Sequence, residues 1–197
     1  MTLYGLAKIV IRAFTRPAFD ARVEGEEHVP PSGGLVVAAN HRSYLDPPVL
    51  GAWFPRQVHY MAKRELFKIP LFGWAIAAVG AFPVDRERAS DLGSVRRALH
   101  ILKSGGVVGI FPEGRRNIAG DATAKGGAVL LASLAGCPLV PVKLVGTHLA
   151  LRRFRATRLR VIIGEPMTFQ GSARKPTKAE LAAWTEQVAA AIARLGS

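Results

Sequence analysis

The chain is short of cysteine, of acidic side chains and of aromatic rings, and it has no apolar run of membrane-spanning length. Its single cysteine, Cys137, excludes an intramolecular disulfide and a cysteine-based metal cluster. The surrounding apolar residues predict an inert, buried thiol, and such sparing use of cysteine fits a cytosolic compartment. Acidic residues number 14 against 27 Lys and Arg, a net charge of +13 and a pI near 10.9, so the partner should carry negative charge. Nucleic acid, anionic lipid and phosphorylated substrates all qualify on that ground alone. Aromatics make up only 8% of the chain. They are not interleaved with the basic residues, which are spread over Arg12, Arg56, Arg86, Arg96, Arg97, Arg115, Arg116 and the run LRRFRATRLR, and no nucleic-acid recognition motif is present. The longest apolar stretch, residues 66–82, is broken by Lys68, Pro70 and two glycines, below the roughly 20 clean apolar residues that a membrane span needs. Repeats, linkers and low-complexity tracts are absent, and the first residues lack the cleavage pattern of a signal peptide.

What is present points to one domain with a substantial core: 197 residues, 49% of them hydrophobic, with a mean hydropathy of +0.19. That is greasy for a protein that meets only water, and part of its apolar surface is expected to have a non-aqueous partner. Near the start, Leu3, Leu6, Ala7, Val10 and Phe14 share one helical face and Lys8, Arg12 and Arg16 another. Residues 1–19 therefore read as a basic amphipathic helix, suited to a bilayer interface or to packing on the domain that follows over 20–197.

From Pro17 onward strands and helices alternate. Extended segments are expected around Val23 and Glu24, at 35–39, 58–62, 107–111, 139–145 and 158–163. Helices are expected over 46–54, from Ser90 through Leu102, over 124–135, and after a Thr177/Glu180 capping box that opens a face of Leu181, Trp184, Val188, Ile192 and Leu195. The pattern is α/β: one domain with a central, mostly parallel or mixed sheet flanked by helices. Residues 66–82 read as a hydrophobic hairpin or short helix, placed either near an acyl-chain tunnel or lipid surface or in the core.

Four segments carry the chemistry. NHRSYLD begins where the strand LVVAAN ends, placing His41 and Asp46 at the carboxyl end of a sheet strand, where open α/β folds hold ligands. A carboxylate five residues on can orient one ring nitrogen while the other takes a proton from an attacking hydroxyl. By itself the pair is a weak signal, and a strand-end histidine beside an Asp46 helix cap is the commoner meaning. GAFPVDR ends in Arg86, able to grip a phosphate bidentately or to form a solvated ion pair with Asp85. FPEGRRN follows the strand GVVGIF, with Gly114 permitting a tight turn and Glu113 beside Arg115 and Arg116, either a phosphate pocket or a structural ion pair. Lys125, in AKGG, could add a further phosphate contact. LVPV, residues 139–142, can only shape a wall.

In order and spacing these segments resemble the four motifs of the glycerolipid acyltransferase family, particularly the bacterial 1-acylglycerol-3-phosphate acyltransferases, over roughly residues 35–145. The resemblance implies that His41 is the general base and Asp46 its orienting partner. It implies also that Arg86, Glu113 and Arg116 hold the glycerol phosphate with Gly114 forming the turn, and that Arg115 and Lys125 add to that site. Lys63, Leu66 and Phe67 in AKRELF match further family positions. It implies a fatty acyl group moved from acyl-CoA or acyl carrier protein to the free hydroxyl of lysophosphatidic acid or a related acceptor, without an acyl-enzyme, a resident cofactor or a metal. The expected setting is an anionic membrane surface on the cytoplasmic face of the cell membrane, held peripherally or monotopically and without nucleic acid. The third motif commonly reads FPEGTRS, and Arg115 and Asn117 here replace its threonine and serine, which bears on the acceptor headgroup. Three other classes compete. These are a nucleic-acid-binding domain, a Ser-His-Asp hydrolase using Ser43, which lacks a G-x-S-x-G elbow, and a catalytically silent lipid-binding relative.

Overall fold

A computed structural model describes residues 2–84, 91–114, 117, 124–150, 152–154, 156–169 and 176–196. Among them the order is α1 (Leu3–Phe19), β1 (Arg22–Glu24), β2 (Leu35–Ala39), α2 (Asp46–Trp53), β3 (Val58–Lys63), α3 (Phe72–Ala78), β4 (Phe82–Val84), α4 (Leu92–Lys103), β5 (Val107–Ile110), α5 (Gly127–Ala135), β6 (Leu139–Val145), α6 (Thr147–Ala150), β7 (Arg160–Ile163) and α7 (Lys178–Arg194). The strands form one sheet in the order β1-β7-β6-β2-β5-β3-β4. Every neighbouring pair is parallel except β6 with β7, so the expected α/β fold has a mixed sheet with a five-stranded parallel body.

β2 lies at the centre and is buried along its whole length, as its unbroken apolar run requires of a strand covered on both faces. Leu35, Val37 and Ala39 point to one core with Val49, Leu50 and Phe54 of the α2 segment, and Val36 and Ala38 to a second core with residues of α4, α5 and α7. The Thr177/Glu180 capping box is formed, and Val188 is buried while Leu181, Trp184 and Ile192 pack against that second core. α4 is capped by Asp91, whose side chain accepts the Gly93 and Ser94 amides. Ser90, where the sequence placed the start, lies outside the described residues. The three-residue β4 and the single-turn α6 had no periodic signature to announce them. Cys137 is half-buried and burial pushes its thiol up to about 11, a protonated and unreactive group at neutral pH.

α1 docks on α2 by its basic face. Lys8 Nζ donates to the Phe54 carbonyl (2.6 Å), Arg12 Nε donates to the Ala52 carbonyl (2.6 Å), and the guanidinium lies over the Trp53 ring at 5.2 Å. These are carbonyls of the C-terminal end of α2, which lack intrahelical donors and carry the negative end of the helix dipole. Leu3, Leu6, Val10 and Phe14 are exposed on the opposite face. No helix among the described residues is long and apolar enough to cross a membrane.

Candidate active site

His41 and Glu113 arrive from adjacent strands. β2 delivers His41 and its neighbour β5 delivers the Phe111–Gly114 turn, and the two strands run parallel, so both segments emerge at the same carboxyl edge of the sheet. Residues 40–45 reverse the chain into α2. Asp46, at the first turn of that helix, is fully buried and reaches back rather than capping its own helix. Its Oδ2 accepts three hydrogen bonds: from the Arg42 amide (2.6 Å), from the Ser43 amide (2.7 Å) and from His41 Nδ1 (2.9 Å). A carboxylate held by two backbone donors cannot swing, so Nδ1 carries the proton and Nε2 is left as the basic nitrogen. Ser43 is a turn residue, buried, with its Oγ accepting the Leu45 amide (3.2 Å).

The imidazole is fixed from other sides as well. Phe111 stacks on it at 4.3 Å between ring centroids, and Tyr60 continues the stack behind Phe111 at 6.2 Å. Glu113 Oε2 accepts the His41 amide (3.0 Å), while the Asn117 amide donates to the His41 carbonyl (2.6 Å). Both backbone polar groups of His41 are therefore clamped by the loop after β5. Burial raises the Glu113 carboxyl above its ordinary value, opposed by the bond from the His41 amide and the proximity of the His41 ring. Gly114 has φ +68°, and a side chain there would come within 3.5 Å of the Lys125 Nζ, Cε and Cδ atoms, so the lysine folds over the turn. The Lys125 amide closes the loop on the Pro112 carbonyl (2.8 Å).

On the other side of His41 opens an apolar cavity of about 720 Å³. Its walls come from α1 (Tyr4, Ala7, Ile11), α2 (Pro48, Gly51), β3 (Tyr60, Met61) and α3 (Phe72, Ile76), with Phe111 beside the histidine. A chamber of that size and largely apolar lining suits a long hydrocarbon chain, with Lys8, Lys63 and His41 as its basic wall residues. The arrangement is a base with an orienting carboxylate at the rim of a greasy chamber.

Residues 20–145 match the family model described as Acyltransferase. The chain belongs to this acyltransferase family. It is 39% identical over 166 residues to the 1-acyl-sn-glycerol-3-phosphate acyltransferase of Bacillus subtilis, covering 84% of this chain and 82% of that one. A chloroplast 1-acyl-sn-glycerol-3-phosphate acyltransferase of Arabidopsis thaliana is 32% identical over 145 residues, of which this chain spans 72% of its own length and 40% of the plant protein's. The crystal structure of the 1-acyl-sn-glycerophosphate acyltransferase PlsC from Thermotoga maritima superposes with a TM-score of 0.74 at 32% identity, covering 94% of this chain and 76% of that one.

In this acyltransferase the structure brings His41, Asp46, Glu113, Gly114 and Lys125 together. Arg86, Arg115 and Arg116 lie outside the described residues. The LVPV segment is buried in β6 and serves as core packing. Three contributors were not singled out from the sequence: Phe111 as the stacking partner, the Asn117 amide as the second clamp, and Gly51, which leaves the chamber open between α2 and the Tyr4 and Tyr60 hydroxyls. Only the position of Phe111, at the end of a strand beside the motif, could have hinted at its role. The amides of residues 41–43, 114, 117 and 125 are already spent on Glu113, Asp46, Phe111, His41 and Pro112, so a donor to a tetrahedral oxyanion has to come from elsewhere.

Proposed function

We propose that the chain transfers a fatty acyl group from a thioester donor, acyl-CoA or acyl carrier protein, to the free hydroxyl of 1-acylglycerol-3-phosphate, giving phosphatidic acid for phospholipid synthesis. The observation that carries this reading is the His41 Nδ1 to Asp46 Oδ2 bond of 2.9 Å at the mouth of the apolar chamber. His41 Nε2 takes the proton of the acceptor hydroxyl as its oxygen attacks the thioester carbonyl. The new C–O bond forms, the tetrahedral centre collapses, the C–S bond breaks, and the imidazolium returns its proton to the departing thiolate. No protein nucleophile is needed, and positioning of base, hydroxyl and carbonyl supplies most of the acceleration. The acyl chain occupies the chamber. Lys125, with Arg86, Arg115 and Arg116 as the family resemblance implies, balances the charge of the acceptor phosphate. Glu113 positions His41 by accepting its amide.

The exposed apolar side of α1 lies on an anionic bilayer at the cytoplasmic face of the cell membrane, where the net charge of +13 is favourable. The test is to incubate purified protein with lysophosphatidic acid and long-chain acyl-CoAs and to detect phosphatidic acid by mass spectrometry, beside a folded His41→Ala variant. Product from the wild type alone is the expected result. No product from this acceptor, from other lysophospholipids or with acyl carrier protein as donor defeats the proposal.

A further inference from the structure

The segment between β3 and β4 is a compact turn whose tip is made of large apolar side chains facing water: Ile69 is 49% exposed, Leu71 83%, Phe72 48% and Trp74 67%. The tip is built rigidly. The Phe72 amide donates to the Pro70 carbonyl (2.6 Å), the Gly73 amide to that of Ile69 (2.8 Å) and the Ala75 amide to that of Leu71 (2.9 Å). Gly73 packs so closely on Phe67 that a side chain there would collide with its backbone carbonyl. Leu71 has φ +59°, a conformation that glycine adopts freely and leucine does not. A leucine strained in this way and buried against nothing in the protein stabilises no core, so the fold presents it to something outside.

The position of the tip says what that partner is. Phe72 and Ile76 of α3 line one side of the chamber and Tyr4, Ala7 and Ile11 of α1 line another, so the exposed faces of α1 and of the tip flank the same chamber. Lys63, Arg64 and Lys68 are exposed beside the tip, and Glu65 is the one acidic residue of the segment 63–74. Two separate apolar strips with a basic fringe match an anionic bilayer, which covers both at once, better than a single protein groove. We propose that residues 69–74 insert into the bilayer as a second anchor beside α1, so that a hydrocarbon chain passes between the lipid leaflet and the chamber without crossing water. This rests on the membrane reading given above.

The three tryptophans make the test direct, because Trp53 is buried and Trp184 is packed against Phe169, leaving Trp74 as the exposed reporter. The full chain is mixed with vesicles of equal parts phosphatidylcholine and phosphatidylglycerol, with and without brominated acyl chains. The Trp74 emission should shift to the blue and be quenched by the brominated lipid, and Trp74→Phe should abolish both effects while the protein still sediments with vesicles. Leu71→Glu with Trp74→Glu should weaken vesicle partitioning at least tenfold, since two large side chains lose their apolar burial. Turnover of that variant on a water-soluble, short-chain donor and acceptor should stay at the wild-type value. Sedimentation of the wild type without any change at Trp74 overturns the second anchor and leaves the α1 reading standing, whereas no sedimentation at all removes both. Equal loss of activity on the soluble pair, or a lipid-free dimer that the double variant dissolves, would assign the tip to the site or to a second protein surface and would also overturn the proposal.

Discussion

Glu113 is the residue whose role separates positioning from binding. Its Oε2 lies 3.0 Å from the His41 amide, and burial raises its carboxyl above the ordinary range, so its interaction is directed into the protein. Replacement by alanine leaves the His41 amide without its acceptor, a cost of about 1–3 kcal/mol for a buried donor. If that free energy goes into misplacing the imidazole, turnover falls about 5- to 160-fold, one decade per 1.36 kcal/mol. Glu113→Gln keeps an acceptor oxygen and loses only the charge assistance, about 1 kcal/mol, for a loss of roughly fivefold. The assay is steady-state release of free thiol from acyl-CoA over a range of acceptor concentrations, with circular dichroism to show that each variant is folded. The expected pattern is kcat falling in the order wild type, Gln, Ala, with the acceptor KM within about twofold of wild type. A KM raised tenfold at unchanged kcat would mean that Glu113 orders the phosphate-binding arginines, and the positioning argument would be wrong.

Other outcomes follow from the same contacts. Asp46→Asn replaces a fully buried carboxylate that accepts three N–H groups and should lower single-turnover rates by about 10³-fold or more at saturating substrate, by analogy with a triad aspartate; a loss under tenfold would show that tautomer control is unimportant. Gly51→Leu projects a side chain towards the Tyr4 and Tyr60 hydroxyls, 3.5–3.7 Å from where its Cβ would sit, and in a competition of mixed acyl-CoAs it should shift usage to shorter chains. Unaltered chain usage would place the hydrocarbon elsewhere. Arg12→Ala removes a donor to the Ala52 carbonyl and the contact over Trp53, and should cost about 1–3 kcal/mol in urea unfolding. Because the folded-state pKa of Glu113 is raised, its contribution to stability is complete below the ordinary carboxyl value of 4.5 and is lost as the pH climbs through the folded-state value. Wild type should therefore gain stability relative to Glu113→Gln as the pH falls from neutrality towards 4.5, and an opposite slope in paired urea titrations would contradict the shift.

The sheet was legible because β2, β5 and β6 are mostly apolar runs of strand length and β3 alternates buried and half-buried residues, and those signals are local. The residues of the dyad were legible as a motif, but their coupling was not. Nothing in HRSYLD states that the Arg42 and Ser43 amides turn inward and hold the carboxylate, because that depends on residues 40–45 reversing the chain so that Asp46 points back at them. The clamp on His41 was equally hidden. Glu113 and Asn117 reach it only because β5 pairs with β2, a contact 72 residues apart in sequence for the glutamate. Short-range patterns identify groups with chemistry to offer, and strand pairing decides which of them meet.

α1 shows where pattern reading stops. Its periodicity identifies two faces, apolar and basic, but a helix wheel carries no information about which face the rest of the protein will take. Water alone would turn Leu3, Leu6, Val10 and Phe14 inward. The structure turns Lys8 and Arg12 inward instead, because the end of α2 presents the Ala52, Trp53 and Phe54 carbonyls with no helical donors left to satisfy them. Two long side chains reach those oxygens while their aliphatic stems cover apolar surface, so charged residues serve as the packing layer. The cost is an outward apolar strip that water solvates badly. A chamber whose walls come partly from that helix, and whose proposed substrates carry fatty chains, gives the strip a use: the surface that would be a defect in water is the one a bilayer can cover.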